Sequence, residues 1–179
     1  NLTKIDLPKD LDTIGESVFY ECDNLTEIVL PDSLKTIGVY AFIYCRSLTK
    51  IVLPNSLTSI DYQAFSNCHS LTEIDLSKTK LTTIGQLAFE YCQSLTEIVL
   101  PEGLKEIGYG AFYDCKSLTT IVLPDSLTSI GLQAFYDCKS LTTIVLPDSL
   151  TEIGTEAFWN CTSLTNFVIP WTIIETEDI

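Results

Sequence analysis

Apolar and polar positions alternate along this chain in an order that restarts every 23 residues. Each unit opens Leu-Thr-x-Ile-x-Leu, as in Leu25-Thr26-Glu27-Ile28-Val29-Leu30. The opening leucine recurs as Leu2, Leu25, Leu48, Leu71, Leu95, Leu118, Leu141 and Leu164. Apolar residues two apart, with an outward residue between them, predict a short strand. Proline follows seven of the eight strands, where its missing donor and fixed φ end the ladder and turn the chain. Next comes Leu-x-x-Ile-Gly, as in Leu104-Lys105-Glu106-Ile107-Gly108, which predicts a second short extended stretch with two inward residues. The unit closes with Ala-Phe-x-x-Cys, read as one helical turn that aligns Phe19, Phe42, Phe65, Phe89, Phe112, Phe135 and Phe158.

Two departures from the pattern carry information. Gly15, Gly38, Gly85, Gly108, Gly131 and Gly154 are matched in the remaining unit by Asp61. Aspartate is among the few other residues that tolerate positive φ, so this position is expected to be left-handed. Between Leu71 and Leu95 one residue is inserted, in the turn Ser77-Lys78-Thr79-Lys80. A one-residue loop insertion is expected to bulge outward without changing the coil.

One unit cannot bury Leu, Ile, Leu, Leu, Ile, Ala, Phe and Cys by itself, so successive units must stack into a continuous core. Self-similarity at this period points to a leucine-rich solenoid. It reads as one domain over residues 1–179, with seven full coils over 2–163 and a terminal strand and cap over 164–179. The closing residues Trp171 to Ile179 lack the Ile-Gly and Ala-Phe signals and read as a cap or a truncation, their mixture of apolar and acidic side chains favouring the cap. The wording Leu-Pro-Asp-Ser-Leu-Thr-Ser-Ile-Gly-x-x-Ala-Phe-x-x-Cys, found in full from Leu123 to Cys138, resembles the BspA-like leucine-rich repeats also found in Treponema-type surface proteins. That resemblance implies a right-handed arc or horseshoe with a parallel concave β-sheet, and short extended segments and helical turns on the convex side. It also implies a surface or secreted location, a role in adhesion to host or cell-surface proteins, and no catalytic residues.

Composition narrows the function classes. Hydrophobic residues make up 46% of the chain and mean hydropathy is +0.25, yet no apolar run approaches the roughly 18 residues of a membrane span. The net charge of −14 comes from 24 acidic and 10 basic residues spread along the sequence. Nucleic acid and anionic membrane surfaces are therefore disfavoured partners. Seven cysteines occupy one position of the repeat. Stacked at roughly 4.8 Å they point in parallel, whereas a relaxed disulfide holds its Cβ atoms about 3.8 Å apart, so a buried ladder of free thiols is expected.

Candidate chemistry lies on the outward side of the Leu-Thr-x-Ile-x-Leu strands, where three ladders face away from the core. The first is threonine: Thr3, Thr26, Thr49, Thr72, Thr96, Thr119, Thr142 and Thr165. The second runs Lys4, Glu27, Lys50, Glu73, Glu97, Thr120, Thr143 and Asn166, and the third Asp6, Val29, Val52, Asp75, Val99, Val122, Val145 and Val168. The C-terminal half thus forms an apolar strip rimmed by hydroxyls, made of Thr96, Glu97, Val99, Thr119, Thr120, Val122, Thr142, Thr143, Val145, Asn166 and Val168. Contiguous exposed apolar patches tend to mark interactions, which makes this strip the candidate protein-binding concave face. Valine and threonine also fit a pleated surface whatever the function.

Other chemistry finds less support. Glu73, Asp75 and Glu97 group three carboxylates, but an open sheet supplies little of the desolvation that perturbs a catalytic pKa. His69 is the only histidine and stands in no zinc or triad motif. Aromatics around the Ala-Phe-x-x-Cys turn, from Tyr20 to Trp159, are expected to pack between coils on the convex corner. Asn1, Asn24 and Asn160 match the glycosylation acceptor pattern. No enzyme activity, cofactor or metal is expected. The expected partner is a protein ligand bound by a monomer, with a structural spacer and an intracellular recognition module as the alternatives.

Overall fold

In the computed structural model, residues 5–168 are described. Among the described residues, each coil from the second to the seventh contributes one three-residue and one two-residue strand, and the units at either end contribute one strand each. The three-residue set is β2 (Glu27–Val29), β4 (Lys50–Val52), β6 (Glu73–Asp75), β8 (Glu97–Val99), β10 (Thr120–Val122), β12 (Thr143–Val145) and β14 (Asn166–Val168). The two-residue set is β1 (Thr13–Ile14), β3 (Thr36–Ile37), β5 (Ser59–Ile60), β7 (Thr83–Ile84), β9 (Glu106–Ile107), β11 (Ser129–Ile130) and β13 (Glu152–Ile153). All pairings are parallel and in repeat register, with Ile121 opposite Ile98 and Ile130 opposite Ile107. This is the arc of parallel strands that the repeat implied.

The coils send their Leu, Ile, Ala, Phe and Cys side chains into one unbroken core, and Val18, in place of alanine in the first coil, stays exposed. The phenylalanines form a file: ring centroids of Phe42, Phe65, Phe89, Phe112 and Phe135 lie 5.1 to 5.6 Å apart with planes within 13° of parallel. Such offset stacks add to the area that the rings bury.

The closing corner is not the helical turn expected from its sequence, and no helix occurs among the described residues. Instead, two residues four apart in each corner adopt left-handed φ near 55°, first at Ser17, Tyr40, Gln63, Leu87, Gly110, Gln133 and Glu156, then at the residue before each cysteine. The corner's amides fall into two alternating sets. Ala41, Ile43 and Cys45 close turns onto Gly38, Tyr40 and Phe42, while Tyr40, Phe42 and Tyr44 donate along the axis to Tyr62, Ala64 and Ser66 of the next coil. A helix would spend every amide inside its own coil; this corner shares half of them with its neighbour.

The Ile-Gly glycines are therefore not the left-handed residues. Their φ is ordinary, and the reason for glycine is close approach of backbones: a Cβ on Gly108 would lie 2.8 Å from the Ile84 carbonyl oxygen, and one on Gly131 2.7 Å from Gly108. Gly15, in the first coil, has no such neighbour.

The insertion leaves the core intact, and both ladders break at the coil that carries it. The sheets end at β4 and β5 on one side and restart at β6 and β7 on the other. Lys78 is exposed while Thr79 folds back, its hydroxyl donating to the Leu76 carbonyl at 2.7 Å. In four other coils a serine hydroxyl at this turn, from Ser33, Ser56, Ser126 or Ser149, reaches back one coil, as from Ser56 to Leu34 and Ser126 to Leu104. The expected bulge is present, with Lys78 outward.

Candidate functional site

The outward face of the longer strands carries the three ladders where the repeat placed them. In β8, β10 and β12 the central isoleucine is buried and its two neighbours are exposed, because adjacent side chains of a strand point to opposite faces. Val122 is 80% exposed, Val145 58%, Val168 56% and Val99 42%. Glu97, Thr120, Thr143 and Asn166 stand exposed beside them. The two threonine rows differ. The hydroxyls of Thr96, Thr119 and Thr142 donate to the carbonyls of Thr72, Thr96 and Thr119 at 3.1–3.2 Å, so this row ties coil to coil. Thr3, at the head of that row, and Lys4, at the head of the second, lie outside the described residues, as does the predicted cap over Trp171 to Ile179.

Two troughs indent the strip. One, of about 250 Å³, lies between Val99 and Val122 and reaches Thr120, Pro124, Glu97 and Glu102; the next, of about 310 Å³, lies between Val122 and Val145 and reaches Thr143, Pro147 and Asp125. Glu102 and Asp125 were not among the residues that the alternation singled out. Their signal was the acidic residue placed directly after the buried prolines Pro101 and Pro124.

Nearer the insertion a larger groove of about 490 Å³ brings together Lys50, Glu73, Asp75, Lys78 and Glu97. Lys50 Nζ stands 2.7 Å from Glu73 Oε1, and that hydrogen bond and charge raise the ammonium pKa. The Ser77 hydroxyl and amide hold the Asp75 carboxyl below its ordinary value. The three carboxylates thus do line one groove, Glu73 beside Lys50 and Asp75 beside Ser77, and among the described residues no set of three His, Cys, Asp or Glu side chains could hold a metal ion.

The cysteines are free, and Cys45 to Cys161 are buried. Each buried thiol donates to the phenylalanine carbonyl of the preceding coil, as from Cys92 to Phe65 and Cys115 to Phe89 at 3.2 Å. Burial pushes the Cys92 thiol up to about 12, so the ladder holds protons and presents no nucleophile. Cys22 is only half-buried. Tyr40 meets Tyr62 edge-on at 5.4 Å and Tyr113 stacks on Tyr136 at 4.8 Å, so these convex aromatics pack between coils, whereas Trp159 is exposed. His69 is half-buried, and the Asn160 amide is engaged by Asp137.

Comparison with known proteins agrees with this architecture. The model of the BspA-type leucine-rich repeat region matches residues 1–115 and 82–178 in six copies. The crystal structure of a leucine-rich-repeat protein of T. pallidum is 34% identical and superposes with a TM-score of 0.84, over 90% of this chain and 78% of that one. A leucine-rich cell surface protein of Faecalibacterium prausnitzii and a leucine-rich-repeat protein of Eubacterium ventriosum share the fold at 24% identity, with TM-scores of 0.62 and 0.69. This chain covers 94% of itself but only 61% of each of those two proteins. No curated protein matches the chain.

Proposed function

The chain belongs to the BspA-type leucine-rich-repeat family, and from that premise we propose that it is a protein-interaction module of a cell-surface or secreted adhesin. Its ligand seats on the C-terminal half of the concave sheet, across Val99, Val122, Val145 and Val168 and the polar residues beside them. The observation that carries this reading is the unbroken row of exposed valines over the paired strands β8, β10, β12 and β14. Contiguous exposed apolar surface of this kind is costly in water unless a partner covers it. The F. prausnitzii relative, named as a cell surface protein, supports the location.

A photo-crosslinking residue placed at position 122, and separately at the convex position 136, tests the reading against surface proteins of cultured host cells. Crosslinks from 122 and not from 136, lost in the V145E variant, are the expected result. A chain that crosslinks equally from both positions, or from neither, is a spacer or binds through another surface.

A further inference from the structure

The charged lining of the two troughs has one sign. Glu97 and Glu102 border the first and Asp125 the second, and neither has a lysine or arginine. The groove beside the insertion differs: Lys50 and Lys78 stand among its carboxylates, and Lys50 is bonded to Glu73. Negative potential on the concave face is therefore matched internally near the insertion and left uncompensated beside Val122.

The troughs also have a fixed pitch, because each belongs to one coil and parallel strands lie roughly 4.8 Å apart. Apolar side chains on one face of an extended peptide recur at roughly 6.6 Å, two residues on. Those of a helix recur once per turn, about 5.4 Å, which is the closer match along the solenoid axis. Thr120 and Thr143, unlike the threonines of the first row, enter no side-chain hydrogen bond among the described residues and have hydroxyls to offer.

We propose that the occupant of this face is a basic amphipathic helix of a partner protein, laid along the axis, with one apolar side chain per turn in each trough and its Lys or Arg residues against Glu102 and Asp125. This rests on the reading of the concave face as the ligand site. The net charge of −14 argues against a second copy of this chain, since two such surfaces repel. Long basic side chains suit the troughs because their methylene stems cover valine while the charged ends reach the carboxylates.

The test uses the whole chain and three synthetic peptides followed by fluorescence anisotropy: a helical peptide with leucine once per turn flanked by lysine, the same peptide flanked by glutamate, and a proline-interrupted version of the lysine peptide. The lysine helix should bind at micromolar concentration, with the other two at least tenfold weaker. V122S/V145S should weaken it at least tenfold and E102Q/D125N severalfold, while E27Q/D32N, which removes two charges at the other end, should change it less than twofold. Thermal melts check that the variants fold. Equal binding of the glutamate peptide, no binding up to millimolar concentration, or equal loss in E102Q/D125N and E27Q/D32N would overturn the proposal. Crosslinking of an acidic or non-helical partner from position 122 would overturn it too, and would leave the ligand site itself standing.

Discussion

The coils on either side of Ser77 share a core and differ in what they display. Phe65 and Phe89 stack across the insertion at 5.4 Å and 2°, within the 4.9 to 5.6 Å range of the file. Outside, the strands on the N-terminal side carry Glu27 and Lys50 with Val29 and Val52, while those beyond Glu97 carry Thr120, Thr143 and Asn166 with a continuous valine row. Both strand ladders break at the boundary, yet the buried side chains do not register it. The comparison teaches that burial and display are set by alternate residues of the same strand, so one varies freely while the other stays fixed.

Core truncation gives the largest test of that equivalence. Phe65→Ala and Phe89→Ala should each cost about 3–5 kcal/mol by the usual large-to-small accounting, and equally, because the core is continuous across the insertion. Phe158→Ala, in a half-buried terminal coil, should cost clearly less; urea unfolding followed by circular dichroism reads all three. A much smaller loss at Phe65 than at Phe89 would mean that the insertion divides the core. Next in size, Gly131→Ala forces a Cβ into the neighbouring backbone and should cost about 1–3 kcal/mol as overpacking does. Gly15→Ala, with its nearest atom at 3.7 Å, should be close to neutral in the same assay.

Alkali should weaken every interior coil. Burial raises the Cys92 thiol from its ordinary 9.0 to about 12, so between those values the folded chain keeps protons that the unfolded chain has released, and stability falls as pH rises. Cys92→Ala should flatten the slope of unfolding free energy by up to about 1.4 kcal/mol per pH unit. A slope unchanged in that variant would show that this thiol is not the titrating group. The smallest effect concerns the serine rungs that the insertion disturbs. Gly103 stands where Ser126 and Ser149 donate to Leu104 and Leu127, and a Cβ added there meets nothing within 4 Å. Gly103→Ser should restore a rung and stabilise the chain by about 1 kcal/mol, seen as a raised melting temperature.

Much of this was legible in the residues. The alternation in Leu-Thr-x-Ile-x-Leu placed Ile98, Ile121 and Ile144 inward and Val99, Val122 and Val145 outward, because a strand's period of two leaves no other choice once one face is buried. The repeat of cysteine and phenylalanine at fixed offsets foretold their files. The corner was misread because Ala-Phe-x-x-Cys has helical spacing, and nothing local announces that Tyr40 or Gln63 would take positive φ. That conformation is held by amides of Tyr40 and Gln63 donating to the next coil at 3.0 Å, a partner invisible from one repeat. The glycines were misread for the same reason: Gly108 answers to Ile84, twenty-four residues earlier, rather than to its own backbone angle.

The sequence by itself determined the period, the inward and outward sets and hence the stacked core, since burying the same residues in every unit admits only coil on coil. The tertiary structure alone decided which polar groups are spent between coils and which remain free. It took the Thr119 hydroxyl and left that of Thr120, bonded Lys50 to Glu73, and set Glu102 and Asp125 on the rims of the valine troughs. The physical reason is range: side-chain periodicity is a property of a few adjacent residues, whereas hydrogen bonds and uncompensated charge depend on what the neighbouring coil, 23 residues away, brings within about 3 Å.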